Sequence, residues 1–299
     1  MSNERTVPVD EHTAARRVTV IGVGAMGMPM ARRLVDQGFD VAAVDPNATA
    51  RTQAGSFGMR SYESIAECPE SDVVLVLVAT AAQLIDVVKA GITNRAPQKE
   101  LWSLFSTVGK HAAQEAAQML SDAGSRLVDT PMTGGVPGAQ SGKLTFFTSG
   151  DHAALQELVD VLGVLGTTTH VGDNVGDGQS MKLVNQLCCS VHLAVAAEAI
   201  AMAVRLGLDP ATTVDVITSG AGASWFLNER GPRMADLQSI PEVSTRLAIL
   251  AKDNGLVEEA ADVGGAHVPL LKAAKQQYLR AAEMGLLEAD DSQLIKTYL

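Results

Sequence analysis

The amino-acid sequence predicts a mostly parallel α/β domain followed by an all-helical domain. In the first half, short runs of Val, Leu and Ile alternate with alanine-rich stretches, as expected of strands that alternate with covering helices. After residue 176 the strand-like runs stop, and long alanine- and leucine-rich stretches follow. A segment rich in glycine and aspartate at 172–178 separates the two patterns. We therefore predict one domain at 16–175 and a second at 176–299, joined by a long interdomain helix.

The predicted elements follow in order along the chain. Residues 1–15 are polar and have no hydrophobic period, so we expect a flexible tail. The run at 73–78 is apolar at every position, which is typical of a central strand buried on both faces. Residues 179–206 lack proline and glycine, and predict one helix about 42 Å long. The other predicted strands are 18–21, 39–44, 101–105, 127–129, 144–148 and 167–171, and the other predicted helices are 210–219, 242–264, 268–285 and 291–298.

Composition limits the classes of function. The chain has 299 residues with a net charge of −11, and this charge opposes nucleic acid or an anionic membrane as a partner. Three cysteines are too few for a disulfide framework and have no metal-ligand spacing, so we expect a cytoplasmic protein without a metal site. The N-terminus lacks the order of a signal peptide. The longest uncharged stretch, 183–197, is too short to cross a bilayer, and we expect no membrane partner.

A glycine motif after the first predicted strand indicates a dinucleotide site. Gly22, Gly24 and Gly27 have the spacing Gly-x-Gly-x-x-Gly and lead into a predicted helix. In a Rossmann-type domain the first glycine permits a tight turn, the second admits the pyrophosphate, and the third allows close helix–strand packing. Ala25 and Met26 complete the loop whose amides face the phosphates. A glycine-rich turn without a ligand is the alternative interpretation.

Asp45 indicates which dinucleotide binds. It ends the second predicted strand, where a carboxylate accepts hydrogen bonds from the adenosine ribose and repels a 2′-phosphate. We therefore expect NAD rather than NADP. Arg51 lies two helical turns further on and can reach back toward a phosphate, and Asp45 is alternatively a helix cap before Pro46.

Two other segments are candidates for the chemistry. Lys182, Asn185 and Gln186 occupy positions i, i+3 and i+4 and therefore share one face of the long, otherwise apolar helix. A partly desolvated lysine has a lowered pKa and suits general acid–base catalysis, whereas a surface lysine at a helix start is the alternative. Thr133, Gly134 and Gly135 follow the strand at 127–129, and their hydroxyl and amides suit a carboxylate, although a plain loop is equally consistent with this pattern.

Four segments, taken in order, resemble the β-hydroxyacid dehydrogenase family, which includes 3-hydroxyisobutyrate dehydrogenases. The segments are 22–31, 133–145, 178–186 and Lys252-Asp253. The C-terminal half is similar to the L-threonate dehydrogenase branch at 222–226, 228–230 and 290–296. The resemblance implies that Lys182 transfers the proton, that Asn185 and Gln186 orient the substrate hydroxyl, and that the loop at 133–135 holds the carboxylate.

The resemblance also implies cofactor and substrate contacts outside these segments. Thr107 matches a threonine near the nicotinamide, Ala79 and Thr80 match the loop lining the cofactor, and Lys252 matches a lysine reaching the same region from the helical domain. Trp225 lies in a segment that approaches the substrate in the L-threonate branch, although an ordinary packing role is equally consistent with the sequence. Two positions depart from the family: Thr133 replaces the usual serine, and Gln186 replaces a frequent asparagine, which puts the substrate range in doubt.

These observations lead to one main hypothesis and two alternatives. We expect an NAD-dependent dehydrogenase that reversibly oxidises a small hydroxy acid of the 3-hydroxyisobutyrate or L-threonate type, with Lys182 as general acid–base. The alternatives are an imine reductase or reductive aminase, whose members usually carry Asp or Tyr in place of this lysine, and a dinucleotide-binding module without turnover. The long apolar helix predicts a homodimer or homotetramer. Cys188, Cys189 and His192 on that helix are expected to be core residues.

Overall fold

The computed structural model describes residues 15–94 and 99–299, so the predicted tail at 1–15 lies almost entirely outside the described residues. It confirms the predicted fold class: a mostly parallel sheet with helices on both faces, followed by an all-helical region. The strands are β1 Arg17–Ile21, β2 Asp40–Val44, β3 Arg60–Tyr62, β4 Val73–Val76, β5 Leu101–Leu104, β6 Arg126–Asp129, β7 Met132–Thr133, β8 Leu144–Ser149 and β9 Gly166–Gly172.

Twelve α-helices occur in the described ranges. Those of the sheet region are α1 Gly27–Asp36, α2 Ala48–Ser56, α3 Ala81–Asn94, α4 Lys110–Asp122, α5 Gly135–Ser141, α6 His152–Gln156 and α7 Val159–Leu165. Those of the helical region are α8 Asp177–Arg205, α9 Pro210–Thr218, α10 Trp225–Ala235, α11 Leu247–Gly264 and α12 Pro269–Glu283. Two 3-10 helices occur at Ile65–Glu67 and Asp291–Thr297.

The sheet has the strand order β3-β2-β1-β4-β5-β6-β8-β7, and β9 pairs with β8. Strands β1 to β6 are parallel to one another, whereas β8 runs antiparallel to β6 and β7. The order of connection reverses between β1 and β4. In open α/β sheets, ligands bind at such a switch point, outside the carboxyl ends of the strands.

The central strands are buried because helices cover both of their faces. All four residues of β4 are buried, and they alternate between two apolar cores. Val73 and Leu75 pack into one core, whereas Val74 and Val76 pack into the other. This period of two is the geometry of a pleated strand between two layers of helices. The carboxyl ends of β1, β4 and β5 are therefore held in fixed positions relative to one another.

Four elements differ from the secondary structure predicted from the sequence. Strands β3 and β7 have three and two residues and were not predicted, since such short segments carry almost no hydrophobic pattern. Helix α10 was also not predicted, because it contains Gly231 and Pro232, which disfavour a helix interior. It forms because Phe226 and Leu227 pack into the apolar core of the helical region. Helix α11 starts at Leu247 rather than at residue 242.

Helix α8 is the centre of the helical region, and α9, α10, α11 and α12 all pack against it. Its length and composition alone would allow it to cross a bilayer, but 44% of its most apolar window is buried inside the protein. Its contacts with four neighbouring helices are typical of the central helix of a packed domain. The expectation that Cys188 and His192 are core residues is wrong, because both face outward, and Cys189 is only partly buried.

Candidate active site

The glycine motif forms a tight turn between β1 and α1. Gly22 has φ +89°, and a Cβ there would collide with the carbonyl oxygen of Leu77 in the loop after β4. A Cβ on Gly27 would collide with the carbonyl oxygen of Gly22. A Cβ on Gly24 would meet nothing within 4 Å, so this glycine faces open space. Two glycines therefore permit the turn, and the third leaves the approach to the backbone free, as a pyrophosphate requires.

Asp45 lies beside this turn at the end of β2. Its Oδ2 accepts a hydrogen bond from the backbone N–H of Val23 at 3.0 Å, and its Oδ1 accepts one from the backbone N–H of Asn47 at 2.8 Å. Arg51 does reach back: its Nη1 donates to the carbonyl oxygens of Asp45 and Pro46, each at 2.8 Å. Its Nη2 lies 3.3 Å from Glu63, so the arginine is already partnered by two carbonyls and a carboxylate.

The loops after β4 and β5 meet a lysine from the helical region. Lys252 Nζ donates to the carbonyl oxygen of Thr107 at 2.8 Å and to that of Ala79 at 3.3 Å. Thr80 caps the start of α3, because its hydroxyl accepts from the N–H of Gln83 at 3.2 Å. Lys252 therefore attaches α11 to the edge of the sheet where the switch point lies.

The predicted polar cluster on α8 joins the same network. Asn185 Nδ2 donates to Gln186 Oε1 at 3.0 Å, and Gln186 Nε2 donates to the buried carboxylate of Asp253. Asp253 Oδ1 lies 3.0 Å from Lys252 Nζ. The chain of contacts thus runs from α8 through Asp253 and Lys252 to Thr107. No task was assigned to Asp253 from the sequence, although it belongs to one of the segments that carry the family resemblance.

Lys182 is the most unusual charged group of this site. Its side chain is only 9% exposed, and no acceptor for Nζ lies within hydrogen-bond distance among the described residues. Burial lowers its pKa below the ordinary lysine value, and the positive charge of Lys252 adds to that effect, while Asp253 opposes it. The structure therefore places an amine with a weakened hold on its proton next to two hydrogen-bonding amides.

Thr133, Gly134 and Gly135 form the turn that connects β7 to α5. Gly134 has φ +120° and Gly135 has φ +60°, which other residues rarely adopt, so both positions require glycine. The loop starts four residues after Asp129, at the carboxyl end of β6, which is the same edge that carries the loops after β4 and β5. No hydrogen bond joins this loop to Lys182 in the described part of the chain.

A second network, which sequence reasoning missed, attaches the start of α8 to the sheet. Gln179 Oε1 accepts from the N–H groups of Val108 at 2.9 Å and Gly109 at 3.1 Å. Its Nε2 donates to the carbonyl oxygen of Ser106 and to Asp129 Oδ1, at 2.9 and 2.8 Å. Gln179 precedes Lys182 by three positions in an apolar helix, and this spacing is the signal that was available in the sequence.

Trp225 is another predicted site residue for which no hydrogen bond to the others is found in the described part of the chain. It begins α10 and is 46% exposed, and its ring packs edge-on against Phe226 with centroids 5.2 Å apart. The guanidinium of Arg230 lies 5.3 Å from its ring and forms a buried ion pair with Asp291 at 2.7 Å. Its substrate contact stays a prediction, as do the roles of the other site residues.

Comparisons with known proteins agree with this geometry. Residues 17–173 match the family described as the NAD binding domain of 6-phosphogluconate dehydrogenase. Residues 176–298 match the family described as NAD-binding of NADP-dependent 3-hydroxyisobutyrate dehydrogenase.

Individual relatives match over almost the whole chain. L-threonate dehydrogenase from Cupriavidus necator is 35% identical over 95% of this chain and 96% of its own length. The mitochondrial 3-hydroxyisobutyrate dehydrogenase of Bos taurus is 29% identical over 93% of this chain and 85% of its own. The crystal structure of a 3-hydroxyisobutyrate dehydrogenase from Salmonella typhimurium superposes with a TM-score of 0.87 at 31% identity, covering 94% of this chain and 99% of that chain.

Proposed function

This chain belongs to the β-hydroxyacid dehydrogenase family, and from that membership we propose that it oxidises a small hydroxy acid with NAD, using Lys182 as the proton acceptor. The observation that carries the proposal is the buried amine of Lys182. It belongs to α8, and the contacts through Gln186, Asp253 and Lys252 link that helix to the loops at the switch point of the sheet. Reaction in the cleft between the two regions follows from this arrangement.

Each group has a distinct task in the proposed reaction. A lysine with a lowered pKa is neutral in a larger fraction of molecules near neutral pH, so Lys182 Nζ can accept the substrate hydroxyl proton. Asn185 is only partly buried, so it can turn toward a substrate oxygen. Gln186 donates to Asp253 of α11, and this bond fixes the face of α8 on which Lys182 also lies. When bound, the nicotinamide takes the hydride from the carbinol carbon.

The amides around Thr133, Gly134 and Gly135 supply the proposed carboxylate site. Left-handed glycines turn successive N–H groups toward one side, which makes a concave site for an anion. The chain carries a net charge of −11, so such local donors are needed to hold an anionic substrate. Thr133 keeps the hydroxyl of the family's usual serine and adds a methyl group, which reduces the space beside the carboxylate.

Asp45 supports NAD as the preferred cofactor. Its carboxylate lies against the Gly22–Gly27 turn, where it can accept from ribose hydroxyls and repel a 2′-phosphate. Arg51 is a nearby cationic group that would favour NADP. Its guanidinium is held on the carbonyls of residues 45 and 46 and is paired with Glu63, which reduces its availability to a phosphate.

The experiment that tests the proposed function is a substrate panel. NADH formation is followed with L-threonate, 3-hydroxyisobutyrate, glycerate and L-serine, each with NAD and with NADP. We expect turnover of at least one hydroxy acid with NAD, and loss of that turnover in Lys182→Met. Turnover of cyclic imines with NADPH and of no hydroxy acid would contradict the proposal, as would dinucleotide binding without any turnover.

We also propose that the chain associates with a second copy through the outward face of α8 and that it acts in the cytosol, where its three free cysteines stay reduced. The exposed apolar side chains on that face are separated by 3, 11 and 7 residues, and because 7 and 11 residues are close to two and three full helical turns, they lie on one side of the helix. They are Met181, Val184, Val195 and Met202. Sedimentation velocity should give a dimer or tetramer that Val195→Glu dissociates and the control Val263→Glu does not; a monomeric wild type would contradict this.

A further inference from the structure

The start of α8 docks directly on the edge of the sheet at Asp129. The N–H groups of Gly176 and Gln179 donate to Asp129 Oδ2 at 3.2 and 2.7 Å, and the N–H of Gly178 donates to Ser149 Oγ at 2.8 Å. A Cβ on Gly178 would lie 2.6 Å from the carbonyl oxygen of Phe147, so only glycine permits this close approach. The first turn of the helix that carries Lys182 is therefore fixed to β6 and β8.

Gln179 adds a second attachment through its side chain. It is completely buried, and its amide makes four hydrogen bonds, two as acceptor and two as donor. Three of these bonds go to the backbone of residues 106, 108 and 109, on either side of Thr107. An amide is required here because it offers an acceptor and two donors at one position. The loop that holds Thr107 and the helix that holds Lys182 are thus joined by one side chain.

Asp129 must be a carboxylate because both of its oxygens accept hydrogen bonds. Oδ1 accepts from Gln179 Nε2, while Oδ2 accepts from two backbone N–H groups and lies 3.4 Å from the hydroxyl of Ser149. An asparagine has one acceptor oxygen and cannot serve both sides. Burial raises the pKa of Asp129 to about 6, and the hydrogen bonds from Gln179 and Gly176 hold it below the value that burial alone would give.

Gln179, Lys182 and Gln186 lie on the same buried face of α8, at positions i, i+3 and i+7. Lys252 Nζ also donates to the carbonyl of Thr107. Gln179 and Lys252 therefore both hydrogen-bond the loop at 106–109, and a shift of Gln179 changes where Lys182 lies relative to that loop.

We propose that Gln179, oriented by Asp129, is a positioning residue that fixes Lys182 relative to the Thr107 loop. The role rests on the proposed function, because Lys182 and the Thr107 loop are there assigned to the substrate proton and the nicotinamide. A displacement of about 1 Å between reacting groups lowers turnover by up to about 100-fold, so the attachment acts on the chemical step.

Two variants test this role. Gln179→Met keeps the side-chain length and removes all four hydrogen bonds of the amide. Gln118→Met is the control, because Gln118 is exposed on α4 and its side chain donates to Asp122.

In Gln179→Met we expect kcat to fall about 10- to 100-fold, the NAD Kd to change less than about threefold, and the deuterium isotope effect on hydride transfer to rise. Gln118→Met should match wild type. A fall in kcat no larger than the loss of folded protein would overturn the proposal.

A measurement without turnover separates this inference from the proposed function. The rate of reductive methylation at each lysine is followed by mass spectrometry in the full-length chain. If Gln179 fixes Lys182, Gln179→Met raises labelling of Lys182 relative to exposed lysines by about fivefold or more, because it frees the first turn of α8. Unchanged labelling would overturn the positioning role even in an active enzyme, whereas raised labelling in a protein inactive on every hydroxy acid would contradict only the proposed function.

Discussion

Replacing Lys182 with methionine should abolish turnover and stabilise the protein. The side chain is 9% exposed and lacks a hydrogen-bond acceptor in the described part of the chain, and burial lowers its pKa. Methionine has a similar length and no charge, so it removes the free-energy cost of burying an amine. We expect turnover to fall by about 10²- to 10⁴-fold, the usual contribution of a general acid–base. The free energy of unfolding should rise by about 1 kcal/mol, which corresponds to about 2–4 °C in Tm.

The difference in unfolding free energy between Lys182→Met and wild type should depend on pH. A lysine whose folded-state pKa is depressed binds fewer protons in the folded than in the unfolded protein, between the lowered pKa and 10.5. Wild-type stability contributed by this group therefore rises with pH through that window. The advantage of Lys182→Met should be largest below the lowered pKa and should disappear as the pH approaches 10.5.

The assay is thermal unfolding of Lys182→Met, wild type and the control Lys89→Met at several pH values, together with NADH formation. Lys89 is exposed on α3, so its replacement should change neither quantity appreciably. Turnover of Lys182→Met within a few-fold of wild type would refute the reasoning. A difference in Tm that does not vary with pH would also refute it, because the lysine would then not be a buried amine.

Other predictions follow from the same geometry. Gly24→Ala should weaken NAD binding about tenfold or more with little change in Tm, since its Cβ meets open protein surface and only the pyrophosphate is obstructed. Gly27→Ala should instead lower stability by about 1–3 kcal/mol, because its Cβ collides with the carbonyl of Gly22; equal Tm values for the two variants would contradict this. Asp45→Ala should shift the ratio of kcat/KM values toward NADP by about tenfold, through loss of a charge-assisted hydrogen bond, and an unchanged ratio would remove Asp45 from cofactor choice. Because the pKa of Asp129 is raised to about 6, the folded state binds more protons than the unfolded state between pH 4 and 6. The free energy of unfolding should therefore fall by about 3 kcal/mol as the pH rises over that range. Urea unfolding of wild type and Asp129→Asn at several pH values measures this fall, and the same pH dependence of the unfolding free energy in both proteins would contradict it.

The sequence predicts the sheet region well because local pattern and tertiary environment agree there. The β4 run is apolar throughout and lies in the centre of the sheet, and the glycines at 22 and 27 occupy the crowded positions that the motif predicts. Helix α10 was missed because Gly231 and Pro232 oppose a helix locally, while burial of Phe226 stabilises it through contacts distant in sequence.

The segments of the candidate site could be proposed from the sequence, but the hydrogen bonds that join these segments could not. The spacing of Lys182, Asn185 and Gln186 predicts a polar cluster on one helix face. In the structure Asn185 donates to Gln186, and Gln186 donates to Asp253. The link from Gln179 to Asp129 joins residues fifty positions apart, and no local period reports such a pair. Long-range partners of buried polar groups are therefore the part of the site that needs the structure.

The central claim is that a buried amine at residue 182 takes the substrate proton. The pH dependence of kcat/KM for the best hydroxy acid tests it most directly. We predict a rate that rises with pH and levels off clearly below the ordinary lysine pKa of 10.5, with this ionisation absent from the residual rate of Lys182→Met. A rate that continues to rise to pH 10.5, or an identical ionisation in the variant, would contradict the claim.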